Sequence, residues 1–121
     1  MSKRILVVED EEDNRRIVRD LLTSVGYEII EAVTGEEGVT AAATQLPDLI
    51  LMDIQLPDLN GYEATRQIKA NPALRHIPII VVTSYALSGD DVKAFEAGCD
   101  AYISKPFSPR VLLAKVREYL P

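Results

Sequence analysis

An open α/β fold, a parallel five-stranded sheet covered on both faces by helices, is what the sequence predicts, and three observations carry it. Short runs of Ile, Val and Leu alternate with longer stretches in which apolar residues recur at helical spacing. The central runs lack polar alternation, so strands built from them need cover on both faces, which helices connecting parallel strands supply. Cap and turn residues stand where one period gives way to the other. The expected architecture is a doubly wound (βα)5 three-layer sandwich forming one domain over residues 1–121. Of the common strand orders for such sheets, the flavodoxin-like 2-1-3-4-5 suits five strands.

The first strand is expected over Arg4 to Glu9, and the helix after it carries Ile17, Val18, Leu21, Leu22 and Val25 on one face before stopping at Gly26. A second strand over Glu28 to Ala32 leads to Thr34 and Glu37, spaced as a capping box for the second helix. The third strand covers Leu49 to Asp53, and Asn60 with Glu63 opens the third helix in the same manner. Ile77 to Thr83 reads as the fourth strand, with Ser88 as cap of the fourth helix. Ala101 to Ser104 is the fifth strand, and Ser108 followed by Pro109 is a cap with proline at the first helical position of a last helix running through Val111 to Leu120.

Composition bounds what such a domain does. At 121 residues, with 47% hydrophobic and 26% charged residues, the chain is long enough for one buried core and has no room for a second. A net charge of -6 without a Lys/Arg cluster argues against direct nucleic-acid binding, since Arg15-Arg16 follows Glu11, Glu12 and Asp13. No apolar stretch reaches membrane-spanning length or forms a signal-type core after Met1, so no membrane association and a cytoplasmic location are expected. The lone Cys99 reads as a buried structural thiol, and His76, without acidic or metal-ligating neighbours, as a surface histidine.

Four strand ends carry chemistry. Glu9-Asp10 follows the first strand, Asp53 ends the third, Thr83 the fourth and Lys105 follows the fifth. In an open parallel sheet these ends share one edge, so residues almost a hundred positions apart in sequence meet in one crevice. Clustered carboxylates stay ionised together only around a cation. Magnesium suits three carboxylates because it is hard, takes oxygen ligands, keeps waters and fills remaining positions with phosphate oxygens. An ammonium and a hydroxyl alongside suit the other oxygens of a phosphoryl group. The residues thus read as a magnesium-dependent phosphoryl site, with Glu11, Glu12 and Asp13 as a solvated acidic loop.

The segments Ile5-Leu6-Val7-Val8-Glu9-Asp10, Leu51-Met52-Asp53-Ile54-Gln55-Leu56-Pro57-Asp58-Leu59-Asn60-Gly61, Val82-Thr83-Ser84-Tyr85-Ala86 and Tyr102-Ile103-Ser104-Lys105-Pro106-Phe107 resemble, in order and spacing, the motifs of response-regulator receiver domains of the CheY-like superfamily. The resemblance spans the chain and is greatest to stand-alone receivers of the DivK type, which share the Asp-Ile-Gln-Leu-Pro loop and the Gly-Cys-x-Ala-Tyr-Ile-Ser-Lys-Pro stretch. It implies a two-component phosphorelay protein that takes a phosphoryl group on Asp53 from a histidine kinase or histidine phosphotransfer protein. Asp10, Asp53 and the backbone carbonyl of Gln55 would hold Mg2+, with Glu9 acting through water. Lys105 and Thr83 would hold the phosphoryl group. Thr83 and Tyr102 would form the switch, changing the surface of the fourth helix, fifth strand and fifth helix that binds a downstream protein. Lys105-Pro106 would be a cis peptide. Gln55, Ser84 and Tyr85 would flank the phosphoryl group, and the Tyr85 ring should obstruct in-line water, so that Tyr85→Ala shortens phosphoryl lifetime in a decay assay.

The resemblance also assigns kinase specificity to Asn14, Arg15, Val18, Phe107 and Ser108. It implies no enzyme beyond self-phosphorylation and self-dephosphorylation, and a monomer or a weak phosphorylation-dependent dimer. Met1 directly before the first strand favours a stand-alone regulator. Two other readings share the site: an unphosphorylated scaffold receiver, and a magnesium phosphohydrolase with an aspartyl nucleophile. The latter needs a general acid two positions after the nucleophile, where Gln55 stands. A flavin or nucleotide binder on this fold would need a phosphate-cradling loop after the first strand, where this chain has carboxylates.

Overall fold

In the computed structural model, which describes residues 2–83 and 90–121, strands and helices alternate five times. They are β1 (Arg4–Val8), α1 (Glu12–Ser24), β2 (Glu28–Ala32), α2 (Gly35–Gln45), β3 (Leu49–Asp53), α3 (Gly61–Ala70), β4 (Ile79–Thr83), α4 (Asp90–Glu96), β5 (Ala101–Ser104) and α5 (Pro109–Tyr119). All strand pairs are parallel and the order is β2-β1-β3-β4-β5, as expected.

Alternation along the strands divides the interior into two cores. Leu6, Val8, Ile50, Met52, Ile79 and Val81 face one way and pack with Ala64, Ile68 and Ala94 of α3 and α4. Ile5, Val7, Leu49, Leu51, Ile80 and Val82 face the other way, against Leu22 of α1 and Leu112 and Val116 of α5. Fully burying each such aliphatic side chain contributes about 1.5–3 kcal/mol, which is why polar residues enter these three strands only at their ends.

The caps act as their residue types require. Thr34 Oγ1 accepts from Glu37 N at 3.0 Å, Asn60 Oδ1 from Glu63 N at 3.0 Å, and Ser108 Oγ from Val111 N at 3.2 Å. Gly26 takes φ of +99° just after α1, where a side chain would be strained. Ser88, the expected cap of α4, lies outside the described residues.

Three local expectations need correction. β4 begins at Ile79 rather than Ile77, because Pro78 has no N–H to give the ladder; its carbonyl still accepts from Ile50 N at 3.0 Å. β1 ends at Val8, although one further bond joins Glu9 N to Ala32 O at 3.0 Å. Ile17 and Val25 are not on the buried face of α1: they are 60% and 40% exposed, Val25 because it already caps the helix and Ile17 because it borders a surface cleft.

Side chains fasten the edge of the sheet opposite the strand C-termini. Asp48 Oδ2 accepts from Arg4 N at 2.8 Å, and the Arg4 guanidinium donates to the carbonyls of Gln45 and Leu46. Asp100 Oδ2 accepts from Ile79 N at 2.8 Å and from Lys69 Nζ at 2.9 Å, while Lys69 also donates to Ile77 O at 2.8 Å.

Candidate functional site

The C-terminal edge of the sheet gathers the predicted residues. Carboxylate oxygens of Glu9, Asp10 and Asp53 all lie within 4.8 Å of one another. Lys105 Nζ stands 2.8 Å from Glu9 Oε1 and 3.6 Å from Asp53 Oδ2. Glu9 and Asp53 are each 6% exposed, whereas Asp10 is exposed. Strand parity explains the grouping. Glu9 continues the row of Ile5 and Val7, Asp53 that of Leu49 and Leu51, and Lys105 that of Ala101 and Ile103, so all three belong to the α1–α5 side of the sheet. Thr83 follows Val82 and Tyr102 follows Ala101, which puts both on the other side, where Tyr102 packs against the core beneath α3 and α4.

The loop after Asp53 comes back to its starting point. Ile54 N donates to Val82 O, Leu56 N to Ile54 O at 3.1 Å and Gly61 N to Ile54 O at 3.0 Å. A Cβ at Gly61 would lie 2.2 Å from Asp53 O, so only glycine lets α3 start this close to the strand end. Asp58, in the same loop, reaches across to α2 and accepts from Gly35 N at 2.9 Å and Glu36 N at 3.1 Å. A backbone hydrogen bond from the neighbouring Leu59, reinforced by those from Gly35 and Glu36 and opposed by slight desolvation, holds the Asp58 carboxyl below its ordinary range. Neither role was legible in the motif, although a glycine directly after the Asn60 cap was the one available signal of a close approach.

Lys105 is placed by its own backbone: its N–H donates to Thr83 O at 2.6 Å, and Lys105-Pro106 is cis, as expected. Thr83 is wholly buried and pairs in register with Ser104. Gln55 is exposed. Ser84 and Tyr85, expected to flank the phosphoryl group, lie outside the described residues.

The electrostatics are those of too many carboxylates for one ammonium. Burial pushes the Asp53 carboxyl up to about 7, reinforced by the hydrogen bond and charge of Glu9 and opposed by Lys105 and the Gln55 N–H. Burial also acts on Glu9, but its bonds to Asp53 and Lys105 win and hold it below its usual range. Lys105 is desolvated too, yet the two carboxylates raise it above the ordinary lysine value. Without a further cation, Glu9 and Asp53 therefore titrate as a pair, and Asp53 gives up its proton only around neutral pH, where an ordinary aspartate would be fully ionised. Asp53 Oδ1 is buried with no hydrogen-bond partner among the described residues. A buried, orphaned carboxylate oxygen among three carboxylates is what a hard divalent cation would satisfy, so the donor set fits Mg2+.

Beside these groups a cleft of about 560 Å³ opens between α1 and the β5–α5 connection. Its walls are Ile17 and Val18 on one side and Pro106, Phe107 and Leu112 on the other, with Asn14 at the rim and Asp53 and Lys105 within. Among the residues expected to set partner specificity, Asn14, Val18 and Phe107 line it. Arg15 instead turns toward β2, its side chain only 15% exposed.

Comparison with known proteins agrees with this geometry. The family model described as "Response regulator receiver domain" matches residues 5–117. The polar-differentiation response regulator DivK of Brucella ovis is 45% identical over 120 residues, covering 99% of this chain and 98% of that protein. The receiver domain of a sensor histidine kinase from Pseudomonas aeruginosa PAO1, solved with magnesium coordinated in its active site cleft, superimposes with a TM-score of 0.92 at 38% identity, covering 99% of this chain and 98% of that one. The BeF3-activated DrrB receiver domain superimposes with a TM-score of 0.88 at 32% identity, with 99% and 98% covered. On the match of family, sequence and fold, the chain belongs to the response regulator receiver domains.

Proposed function

We propose that Asp53 is the phosphoacceptor of this receiver and that its phosphorylation switches the α4-β5-α5 surface to control partner binding. The observation that carries the reading is the convergence of Glu9, Asp10 and Asp53 within 4.8 Å, with the Lys105 ammonium 3.6 Å from Asp53. Asp10, Asp53 and the Gln55 carbonyl would hold magnesium, Glu9 acting through water. When bound, the metal neutralises charge on the transferring phosphoryl oxygens and fixes their in-line approach.

The residues of the chain do the rest. An ionised Asp53 oxygen attacks the phosphorus of a phosphohistidine on a histidine kinase or phosphotransfer protein. The new P–O bond forms as the P–N bond breaks and the imidazole leaves with the bonding pair. Lys105 moves from Glu9 to a phosphoryl oxygen, a short step because it already spans both carboxylates. Thr83 donates its hydroxyl to another phosphoryl oxygen, and Tyr102 follows by changing its packing beneath α4. Ser84, Tyr85 and the Gln55 side chain flank the group and set its lifetime.

The chain catalyses only its own phosphorylation and dephosphorylation. Downstream it acts as a cytoplasmic binding module that engages a protein target without contacting nucleic acid, as a monomer or weak phosphorylation-dependent dimer. Val92 and Phe95 of α4 and Val111 of α5 supply apolar contact area, each about half exposed. Among the described residues no helix is long and apolar enough to cross a membrane.

Intact mass after incubation with acetyl phosphate tests the reading. One added phosphoryl group that requires both Mg2+ and Asp53, shown with Asp53→Ala, is the expected result. No gain from folded wild-type protein overturns it in favour of an unphosphorylated scaffold.

A further inference from the structure

We propose that Arg15 is a positioning residue for the metal site, its guanidinium bracing the backbone carbonyls of Glu9 and Asp10 against Glu31 on the neighbouring strand. The inference rests on the reading that Glu9, Asp10 and Asp53 hold Mg2+.

The geometry is specific. Arg15 Nη1 donates to Glu9 O at 3.0 Å and makes a longer contact of 3.5 Å to Asp10 O. The opposite edge of the fork, Nε, donates to Glu31 Oε1 at 2.9 Å. Arg19 donates to both oxygens of the same Glu31 at 3.3–3.4 Å, which fixes the carboxylate from a second side. Glu31 belongs to β2, so the brace ties the β1–α1 turn to the rigid sheet rather than to another loop.

The turn's other support is local: Glu11 N donates to Glu9 Oε2 at 3.3 Å, the β1–β2 ladder ends with the Glu9 N to Ala32 O bond, and Glu11, the residue before α1, provides no side-chain cap. Asp10 is exposed, and its carboxylate makes no hydrogen bond or ion pair among the described residues. Its direction is therefore set by its peptide planes, and those are what Arg15 holds. Arginine suits the task because a planar fork can serve two partners on different edges, which the single ammonium of lysine cannot reproduce.

Charge and positioning predict opposite results, which makes the proposal testable. Removing a cation beside three carboxylates, and leaving Glu31 with Arg19 alone, should tighten Mg2+ binding by simple electrostatics. Loss of the brace should weaken it.

Titrating MgCl2 into 15N-labelled protein, with amide shifts as readout, gives the dissociation constant and reports the integrity of the fold in one experiment. Arg15→Gln is expected to weaken Mg2+ binding roughly tenfold, the usual scale for groups that orient metal ligands. Arg15→Lys keeps the charge and should weaken it as well, so the proposal stays open to refutation if Arg15→Gln does not fold. In acetyl phosphate reactions the defect should appear as a raised Mg2+ requirement rather than a lower plateau. Unchanged or tighter binding by Arg15→Gln, or unchanged binding by Arg15→Lys, overturns the proposal. If instead wild type itself binds no Mg2+, or Asp10→Asn binds as well as wild type, the site reading has failed and the brace with it, a result distinct from superimposable wild-type and Arg15 curves.

Discussion

Replacing Asp53 with asparagine should stabilise the metal-free protein at neutral and alkaline pH, although it destroys the proposed acceptor. Asp53 is buried, shares its surroundings with Glu9, and has its carboxyl raised from 3.8 to about 7. A group whose folded-state pKa lies above its unfolded value supports the fold fully below the unfolded value and loses that support as pH rises through the folded one. For Asp53 the window runs from about pH 4 to about pH 7. At about 1.4 kcal/mol per pH unit, ionising it in place costs about 4 kcal/mol, an upper bound once local relaxation is allowed. Asparagine carries no such cost, and its amide can donate to Glu9. Urea melts in EDTA, with the wild-type stability subtracted from that of Asp53→Asn, should therefore show a difference that is small below pH 4, climbs between pH 4 and 7 and levels off above. A difference independent of pH, or a variant less stable than wild type at pH 8, would refute the electrostatic account of the site.

Further outcomes follow from single contacts. Gly61→Ala puts a Cβ 2.2 Å from Asp53 O, so α3 or the strand end must move; urea melts should show a loss of about 2–3 kcal/mol, with slower acetyl phosphate labelling of Asp53. Thr65 Oγ1 is buried in α3 without a hydrogen-bond partner among the described residues, so the nearly isosteric Thr65→Val should stabilise by about 1 kcal/mol, measured in the same way. Leu46 caps α2 in the left-handed region at φ of +47° and is 54% exposed, so Leu46→Asn should raise stability by about 1 kcal/mol with little packing lost.

The fold was legible because β1, β3 and β4 advertise two-sided burial and because Thr34, Asn60 and Ser108 cap where their side chains can. The site was legible for a topological reason: once the strands are parallel, Asp10, Asp53, Thr83 and Lys105 share an edge whatever the intervening sequence. Charge pairing was less visible. A run such as Glu11-Glu12-Asp13-Asn14-Arg15-Arg16 does not say which member turns inward, and Arg15, expected to face a partner, is occupied by Glu31 and the Glu9 carbonyl. Nor could the motif show that Asp58 caps a helix outside its own loop, since that contact joins positions 23 residues apart. Apolar periodicity overstated the buried face of α1 because its rule assigns every apolar residue to a core, while Ile17 borders a cleft. The acidity of Asp53 depends on burial and on Glu9, neither of which spacing reveals.

The parity of the strands has a consequence for how such a protein can diversify. Glu9, Asp53 and Lys105 extend the side-chain rows of one core, and Thr83 and Tyr102 those of the other. On the proposed reading, receipt of the signal and its delivery are built on opposite sides of a layer one backbone thick and meet only at its rim. After gene duplication, drift beneath α1 could rewire which donor is heard while leaving the α4 part of the reply intact, and drift beneath α3 and α4 could do the reverse. A descendant could thus change its source or its audience one at a time.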